Sequence, residues 1–238
     1  MSWGTVDTMP QTKRITHIDS LRGAAVLLMV MVHAAATWNP FQVTQMSILA
    51  YVVSGLGGLA APLFVTLFGW GIARSQLSVK ARIFQSLFLF IAQILVNATS
   101  PHLFNLFTPG ILSLMGLLTL ILPFVVTRMK LLSIQPLATT IALIFTIQFF
   151  FPEIQGVGGW SDRVSDVSAY LIASNLFLTG TYPLFPWIVF ALLGATISLA
   201  NSESSQTLQQ NRFTKSALVL GLVFCLSTFV YSNIENTL

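Results

Sequence analysis

The first hydrophobic segment of the chain reads Arg14-Ile-Thr-His-Ile-Asp19-Ser-Leu-Arg22-Gly-Ala-Ala-Val-Leu-Leu-Met-Val-Met-Val-His33. It is long and apolar, yet it contains the ionisable residues Arg22 and His33. An ionisable side chain at membrane depth is costly, so by default it marks a functional site. His33 follows Arg22 by eleven positions, which is about 16 Å of helix. One face of this helix can therefore hold a cation near the membrane surface and an imidazole near mid-bilayer.

The composition predicts a membrane protein. Hydrophobic residues make up 55% of the chain and charged residues only 8%, and the mean hydropathy is +0.81. A soluble domain carries about 25% charged residues. Several apolar runs also reach the roughly 20 residues that a helix needs to cross a bilayer. The single Cys225 excludes a disulfide framework and a thiolate metal site.

The hydropathy pattern predicts an all-α fold, a polytopic transmembrane helical bundle of about seven spans. These spans cover residues 20–38, 46–73, 82–99, 109–127, 132–151, 183–200 and 215–232. Residues 1–19 form a cytoplasmic N-terminal segment, 20–232 a single transmembrane domain, and 233–238 a short C-terminal tail. The N-terminal segment is polar and basic, so it is not expected to be a cleavable signal peptide.

The basic residues predict the orientation of the bundle. Ten of the eleven Lys and Arg residues fall on the N-terminal segment, at the start of the first span and on alternate loops, and thus share one side, while Arg163 falls on the other side. Because cytoplasmic loops carry an excess of Lys and Arg, we expect the N-terminus inside and the C-terminus outside. The net charge of +4 then reflects topology, and no nucleic-acid partner is expected.

Two segments fit this pattern less neatly. Residues 46–73 contain five glycines and Pro62, which predicts a kinked or broken helix whose backbone is buried in protein or lines a cavity. Residues 167–178 are apolar but short, which indicates an interfacial or re-entrant helix. If they crossed the membrane, Arg212 and Lys215 would face outward, against the charge rule.

His33 has three interpretations. It could form a structural hydrogen bond with a neighbouring helix. As a metal ligand it lacks partners, because His17 precedes the span, His102 lies in an outer loop and no acidic cluster accompanies either. As a general base, a neutral imidazole can take a proton from a hydroxyl or an amine and return it to a leaving group. The pattern therefore favours a base and no metal.

Arg22 has two interpretations that stay open. At the cytoplasmic edge its side chain could snorkel to the membrane surface. It could instead bind an anionic ligand from the cytoplasm, since the planar guanidinium suits phosphates. Asp19 lies three residues earlier, where it could pair with Arg22 or, with Ser20, cap the helix.

Three further motifs follow the first segment in order. They are Pro62-Leu-Phe64…Gly69, Gly110-Ile-Leu112…Gly116 and Pro183-Leu-Phe-Pro186-Trp187…Leu193-Gly194. Together the four motifs resemble the transmembrane acyltransferase superfamily, and more specifically the heparan-α-glucosaminide N-acetyltransferase catalytic-domain family, over most of residues 13–200. The spacing of Arg22 and His33 is also similar to that of the acyltransferase-3 group.

This resemblance implies transfer of an acyl group, usually acetyl, from cytoplasmic acyl-CoA to an acceptor reached from the other side of the membrane. The catalytic residues it implies are His33, as the base, and Asp19, which with Arg22 would shape the cytoplasmic end of the site. The arginines it implies for the CoA phosphates are Arg22, Arg74, Arg82 and Arg128. The residues it implies for the substrate pocket are Pro62, Phe64, Gly69 and Trp187.

Several alternatives remain at this point. A small proton-coupled transporter would use His33 as a proton relay, and a non-catalytic membrane subunit would use neither His33 nor Arg22. A glycan, a lipid headgroup and a small amine all fit as acceptors. The partners expected are membrane lipid, acyl-CoA and a sugar-like or small acceptor, and a homo-oligomer is an open alternative. We expect the inner membrane of a prokaryote as the location.

Overall fold

The fold is described from a computed structural model that covers residues 16–37, 48–129 and 168–203, with the single positions 144, 146, 147 and 164. Within these ranges the chain is helical and contains no strand, as its composition predicted. The helices are α1 (Thr16–Thr37), α2 (Ile48–Arg74), α3 (Val79–Thr99), α4 (Ile111–Met129), α5 (Ala169–Ser174), a π-helix (Asn175–Thr179) and α6 (Leu184–Glu203).

Three of these helices are long and apolar enough to cross a membrane. The qualifying segments are Leu56–Arg74, Val79–Thr99 and Ile111–Arg128. A fourth candidate is the pair Ala169–Thr179 and Leu184–Leu199, which bends by 44° and is either a broken span or a re-entrant loop. The described chain is thus an integral membrane protein of three or four such units. The predicted span 215–232 lies outside the described residues, and so does 132–151 apart from the single positions 144, 146 and 147.

Helix α2 continues without a break through Pro62. Proline lacks a backbone N–H, so it removes one hydrogen bond from a helix interior. The carbonyl that loses its donor is that of Gly58, four residues earlier. The Thr66 hydroxyl donates to the Pro62 carbonyl at 2.8 Å, which adds a hydrogen bond on the C-terminal side of the proline. The glycine-rich segment is one helix. Gly69 packs against α6 and Gly71 against Arg22, while nothing lies within 4 Å of a Cβ atom added at Gly58.

Helix α2 is the centre of the described bundle. It packs against α1, α4 and α6, while α3 packs against α4. At the crossing of α2 and α6 the backbones touch, because a Cβ atom added to Gly194 would meet the Thr66 carbonyl and one added to Gly69 would meet Ala191. Small residues allow this approach of two membrane helices. The buried core around the crossing consists of Val65, Leu114, Leu118, Leu122, Val126, Ala191, Leu192 and Ala195.

A buried amide network fixes α3 against the start of α4. Gln93 Nε2 donates to Asn97 Oδ1 at 2.9 Å, and Asn97 Nδ2 donates to the carbonyls of Leu106 and Thr108 at 3.0 and 2.8 Å. The Leu112 amide donates back to Gln93 Oε1 at 3.1 Å. Each bond gives a polar group a partner that lipid could not supply. The network therefore holds the loop of residues 100–110 in place.

Candidate functional site

The basic residues of the described chain gather at one end of the bundle. The N-terminus of α1 lies beside the C-terminus of α2, since Arg22 contacts Gly71. Helices α3 and α4 are antiparallel, because Ser86 bonds to Gly116 while Asn97 bonds to Thr108. This end, called the basic end below, carries Arg22, Arg74, Lys80, Arg82 and Arg128.

The first cavity at the basic end has a volume of about 480 Å³. Helices α1 to α4 and the loop after α2 contribute to it. Its walls are apolar apart from one cation and a few neutral polar groups, so it suits a ligand with an apolar part and an anionic end. The lining residues are Arg22, Val26, Phe64, Leu67, Phe68, Gly71, Ile72, Ser75, Leu77, Gln85 and Met115.

Arg22 and Arg74 converge on one indole ring. The Cζ atom of Arg22 lies 5.8 Å from the centroid of the Trp70 ring, and that of Arg74 lies 5.0 Å from it. Gly71 leaves the space that this needs, since a Cβ atom there would lie 3.3 Å from Nη2 of Arg22. The ring attracts both cations through its negative face. The guanidinium N–H groups can still donate in their own plane, the geometry that suits phosphate oxygens.

Trp70 was not identified from the sequence, although a signal for it exists. It stands between Gly69 and Gly71 and four residues before Arg74, a spacing that places ring and guanidinium on one helix face. Its contact with Arg22 depends on the packing of α1 on α2. We call Arg22, Trp70 and Arg74 the Trp70 cluster.

Asp19 pairs with Arg22 at the rim of the first cavity. The Nη1 atom of Arg22 donates to Oδ1 of Asp19 at 3.3 Å, and the two side chains are 47% and 46% exposed. An exposed pair at this spacing contributes little to stability. Its effect is to orient the guanidinium, as the spacing in the sequence predicted. A catalytic role for Asp19 stays a prediction.

His33 lies further along α1, on the same helix face as the cavity. At 3.6 residues per turn, Arg22, Val26 and His33 fall within about 40° of one another, and His33 is about 10 Å beyond Val26. Its Nδ1 atom lies 2.7 Å from the Met29 carbonyl oxygen. A carbonyl only accepts, so Nδ1 carries the proton and Nε2 of the neutral ring carries the lone pair. This is the tautomer that a base acting through Nε2 requires.

Arg82 and Arg128 line a second cavity, apart from the Trp70 cluster. Its volume is about 540 Å³, and none of its lining residues is shared with the first cavity. On α4 the two cavities use different helix faces. Met115 lines the first and Phe124 the second, and nine positions correspond to about 180° of rotation. The four arginines assigned to CoA thus form two groups.

The residues assigned to the substrate pocket are also divided. Phe64 lines the first cavity with Arg22. Gly69 is buried at the contact of α2 with α6, and Pro62 is half-buried within α2. Of these three residues, only Phe64 lies in the same cavity as Arg22.

Trp187 lies at the start of α6, within an aromatic group. Its ring centroid is 5.0 Å from that of Tyr182 and 5.4 Å from that of Phe190, and it packs on the buried core. It lines neither of the two cavities. In the described part of the chain, no group of three or more His, Cys, Asp or Glu residues could hold a metal ion.

Comparison with known proteins gives one result that covers almost the whole chain. A family model described as heparan-alpha-glucosaminide N-acetyltransferase, catalytic, matches residues 14–231. Comparison with curated proteins gives no match, and comparison with solved structures gives none.

Proposed function

The chain belongs to the heparan-alpha-glucosaminide N-acetyltransferase catalytic family, and from this membership we propose that it is a membrane enzyme that transfers an acetyl group from cytoplasmic acetyl-CoA. The acceptor is a hydroxyl or amine compound, of which a glycan, a lipid headgroup and a small amine are the classes considered. The observation that carries the proposal is the Trp70 cluster, which lies beside a cavity of about 480 Å³ at the basic end.

The Trp70 cluster supports binding of the CoA phosphates. Arg22 and Arg74 present two cations together, and two neighbouring guanidinium groups attract a polyanion. Arg22 also lines the cavity, so a CoA molecule held there by its phosphates can extend its pantetheine arm between Phe64 and Met115. The thioester at the end of that arm would then approach the interior of the bundle.

His33 supports the chemical step. In the proposed reaction its Nε2 atom takes the proton from the acceptor hydroxyl or amine, and the acceptor oxygen or nitrogen attacks the thioester carbonyl. The new bond to the acetyl carbon forms as the carbon–sulfur bond breaks. The CoA thiolate leaves with the electron pair and receives the proton from His33. The hydrogen bond from Nδ1 to Met29 holds the ring in the tautomer this step needs.

The proposal includes a topology. We infer seven spans, with the basic end and the N-terminus in the cytoplasm, because Lys and Arg concentrate on that side. Acetyl-CoA would enter from the cytoplasm beside Asp19 and Arg22, and the acceptor from the opposite side toward His33. The reaction would thus join two compartments.

The test uses the full chain purified in nanodiscs. We expect wild type to bind acetyl-CoA saturably, Arg22→Gln to bind it several-fold more weakly, and His33→Gln to bind it normally without releasing or transferring the acetyl group. The matched control is Lys80→Gln, which removes one charge from an exposed residue of the same end. Binding is measured by titration calorimetry and turnover by release of free CoA thiol.

Three results would contradict this assignment. Wild type that binds no acetyl-CoA would exclude the donor. Equal losses in Arg22→Gln and Lys80→Gln would indicate only general charge attraction at the basic end. A His33→Gln variant with normal turnover would remove the base from the mechanism.

A further inference from the structure

The second cavity offers a site for a different ligand. It lies between α3 and α4 at the basic end and has a volume of about 540 Å³. We propose that it binds one anionic phospholipid of the surrounding membrane, with Arg82 and Arg128 on the phosphate and the apolar wall along the acyl chain. The residues lining it are Val79, Arg82, Ile83, Leu120, Pro123, Phe124, Thr127 and Arg128.

The charge of the cavity suits a phosphate group. Arg82 comes from the first turn of α3 and Arg128 from the last turn of α4, so two antiparallel helices place two cations in one cavity. No acidic side chain is among its described lining residues. The Cζ atom of Arg128 lies 5.5 Å from the centroid of the Phe124 ring, which restrains the guanidinium at the cavity rim. Basic pockets between membrane helices are typical sites for anionic headgroups.

The apolar wall of the cavity suits an acyl chain. Ile83 is 55% exposed, Leu120 44% and Phe124 68%. Exposed apolar side chains on spanning helices are ordinary where they face lipid, so they would not by themselves indicate a site. Here they continue directly from the two arginines within a single cavity. Two cations at the membrane surface with an apolar groove below them suit the phosphate and the acyl chain of a phospholipid.

The position of the cavity argues against a second part of the acetyl-CoA site. It shares no lining residue with the first cavity, and on α4 its residue Phe124 lies about 180° around the helix from Met115 of the first cavity. Arg82 and Arg128 line this cavity, whereas Arg22 of the Trp70 cluster lines the first. Phospholipid, in contrast, is present along the exposed face of both helices.

The experiment is native mass spectrometry of the full chain released from detergent micelles that contain phosphatidylglycerol and phosphatidylcholine in equal amounts. We expect wild type to retain one phosphatidylglycerol in preference to phosphatidylcholine. We expect Arg82→Gln and Arg128→Gln each to weaken that retention about five-fold. Two controls are matched to them, namely Lys80→Gln, which removes a charge outside the cavity, and Arg128→Lys, which keeps the charge and should retain part of the preference.

Retention of both lipids to the same extent by wild type, or equal losses in Arg82→Gln and Lys80→Gln, would overturn the proposal. Displacement of the lipid by free CoA would also overturn it, because the cavity would then belong to the cofactor. If the glutamine variants do not fold, wild type decides alone, since a bound anionic headgroup must lose affinity as salt rises. Salt-insensitive retention would contradict the site.

Discussion

Trp70 is the side chain on which the candidate cofactor site depends most, because it contacts both arginines. Each cation–π contact at an exposed site contributes about 0.5–1 kcal/mol, so Trp70→Leu should weaken acetyl-CoA binding about two- to five-fold or more. Trp70→Phe keeps an aromatic face and should lose less. Titration calorimetry of both variants is the check. Equal affinities in wild type and Trp70→Leu would show that the ring does not organise the site.

Individual residues differ in how far the sequence alone reveals them. Arg22 and Asp19 pair as their spacing predicted, because a separation of three positions on one helix brings the two side chains into contact. Trp70 was missed, since tryptophan at a membrane interface has an ordinary anchoring role and its contact with Arg22 depends on two helices meeting in a given register. Arg82 and Arg128 line a different cavity from Arg22, and this division was not predictable because one sequence cannot show which helix face meets which cavity.

At the scale of elements, the contact of α2 with α6 is sensitive to a single methyl group. A Cβ atom at Gly194 would meet the Thr66 backbone, with Trp70 N at 2.9 Å. Gly194→Ala should therefore destabilise the protein by about 1–3 kcal/mol through overpacking. Gly58→Ala is the matched control, because nothing lies within 4 Å of its added Cβ. It should be neutral or stabilising by up to about 1 kcal/mol.

Unfolding in detergent, followed by circular dichroism against temperature, compares these two alanine variants with wild type. A midpoint for Gly194→Ala as high as that of Gly58→Ala would mean that the helices separate without cost. The backbone contact would then contribute nothing to stability.

The amide network makes a second prediction at this scale. Asn97→Leu would leave the carbonyls of Leu106 and Thr108 without their side-chain donor, at a cost of about 1–3 kcal/mol. Thr99→Ala is the control, since its exposed hydroxyl bonds only within its own helix, to Val96. The same thermal unfolding measurement applies. Indistinguishable midpoints for the two variants would show that the loop carbonyls find other partners.

Helix positions were largely predictable, while their ends were not. The span predicted at 82–99 is helix Val79–Thr99, because the hydropathy pattern identifies the apolar interior. Its start was placed too late since Lys80 and Arg82 look like loop residues. The Ser78 hydroxyl accepts from the Ala81 amide at 3.3 Å and begins the helix earlier. Capping is a polar signal that hydropathy does not report.

At the scale of the whole molecule, the position of basic residues on alternate loops predicted which residues share an end of the bundle. The described helices have Arg22, Arg74, Arg82 and Arg128 at one end. The charges of the loops are sufficient for this prediction, because each pair of successive antiparallel helices brings the chain back to the same side of the membrane. The division of that end into two cavities required the packing of four helices. It is the feature that separates the proposed cofactor site from the proposed lipid site.

The orientation of the bundle can be tested directly by cysteine labelling in intact spheroplasts. Cys225→Ser removes the single native cysteine, and Gln76→Cys and Asn105→Cys then mark exposed loops at opposite ends of α3. A membrane-impermeant maleimide should label Asn105→Cys in intact cells and Gln76→Cys only after lysis, because the positive-inside rule places the basic end in the cytoplasm. The reverse pattern would place Arg22 and Trp70 outside. Cytoplasmic acetyl-CoA could then not reach them, and the proposed reaction would lose its donor.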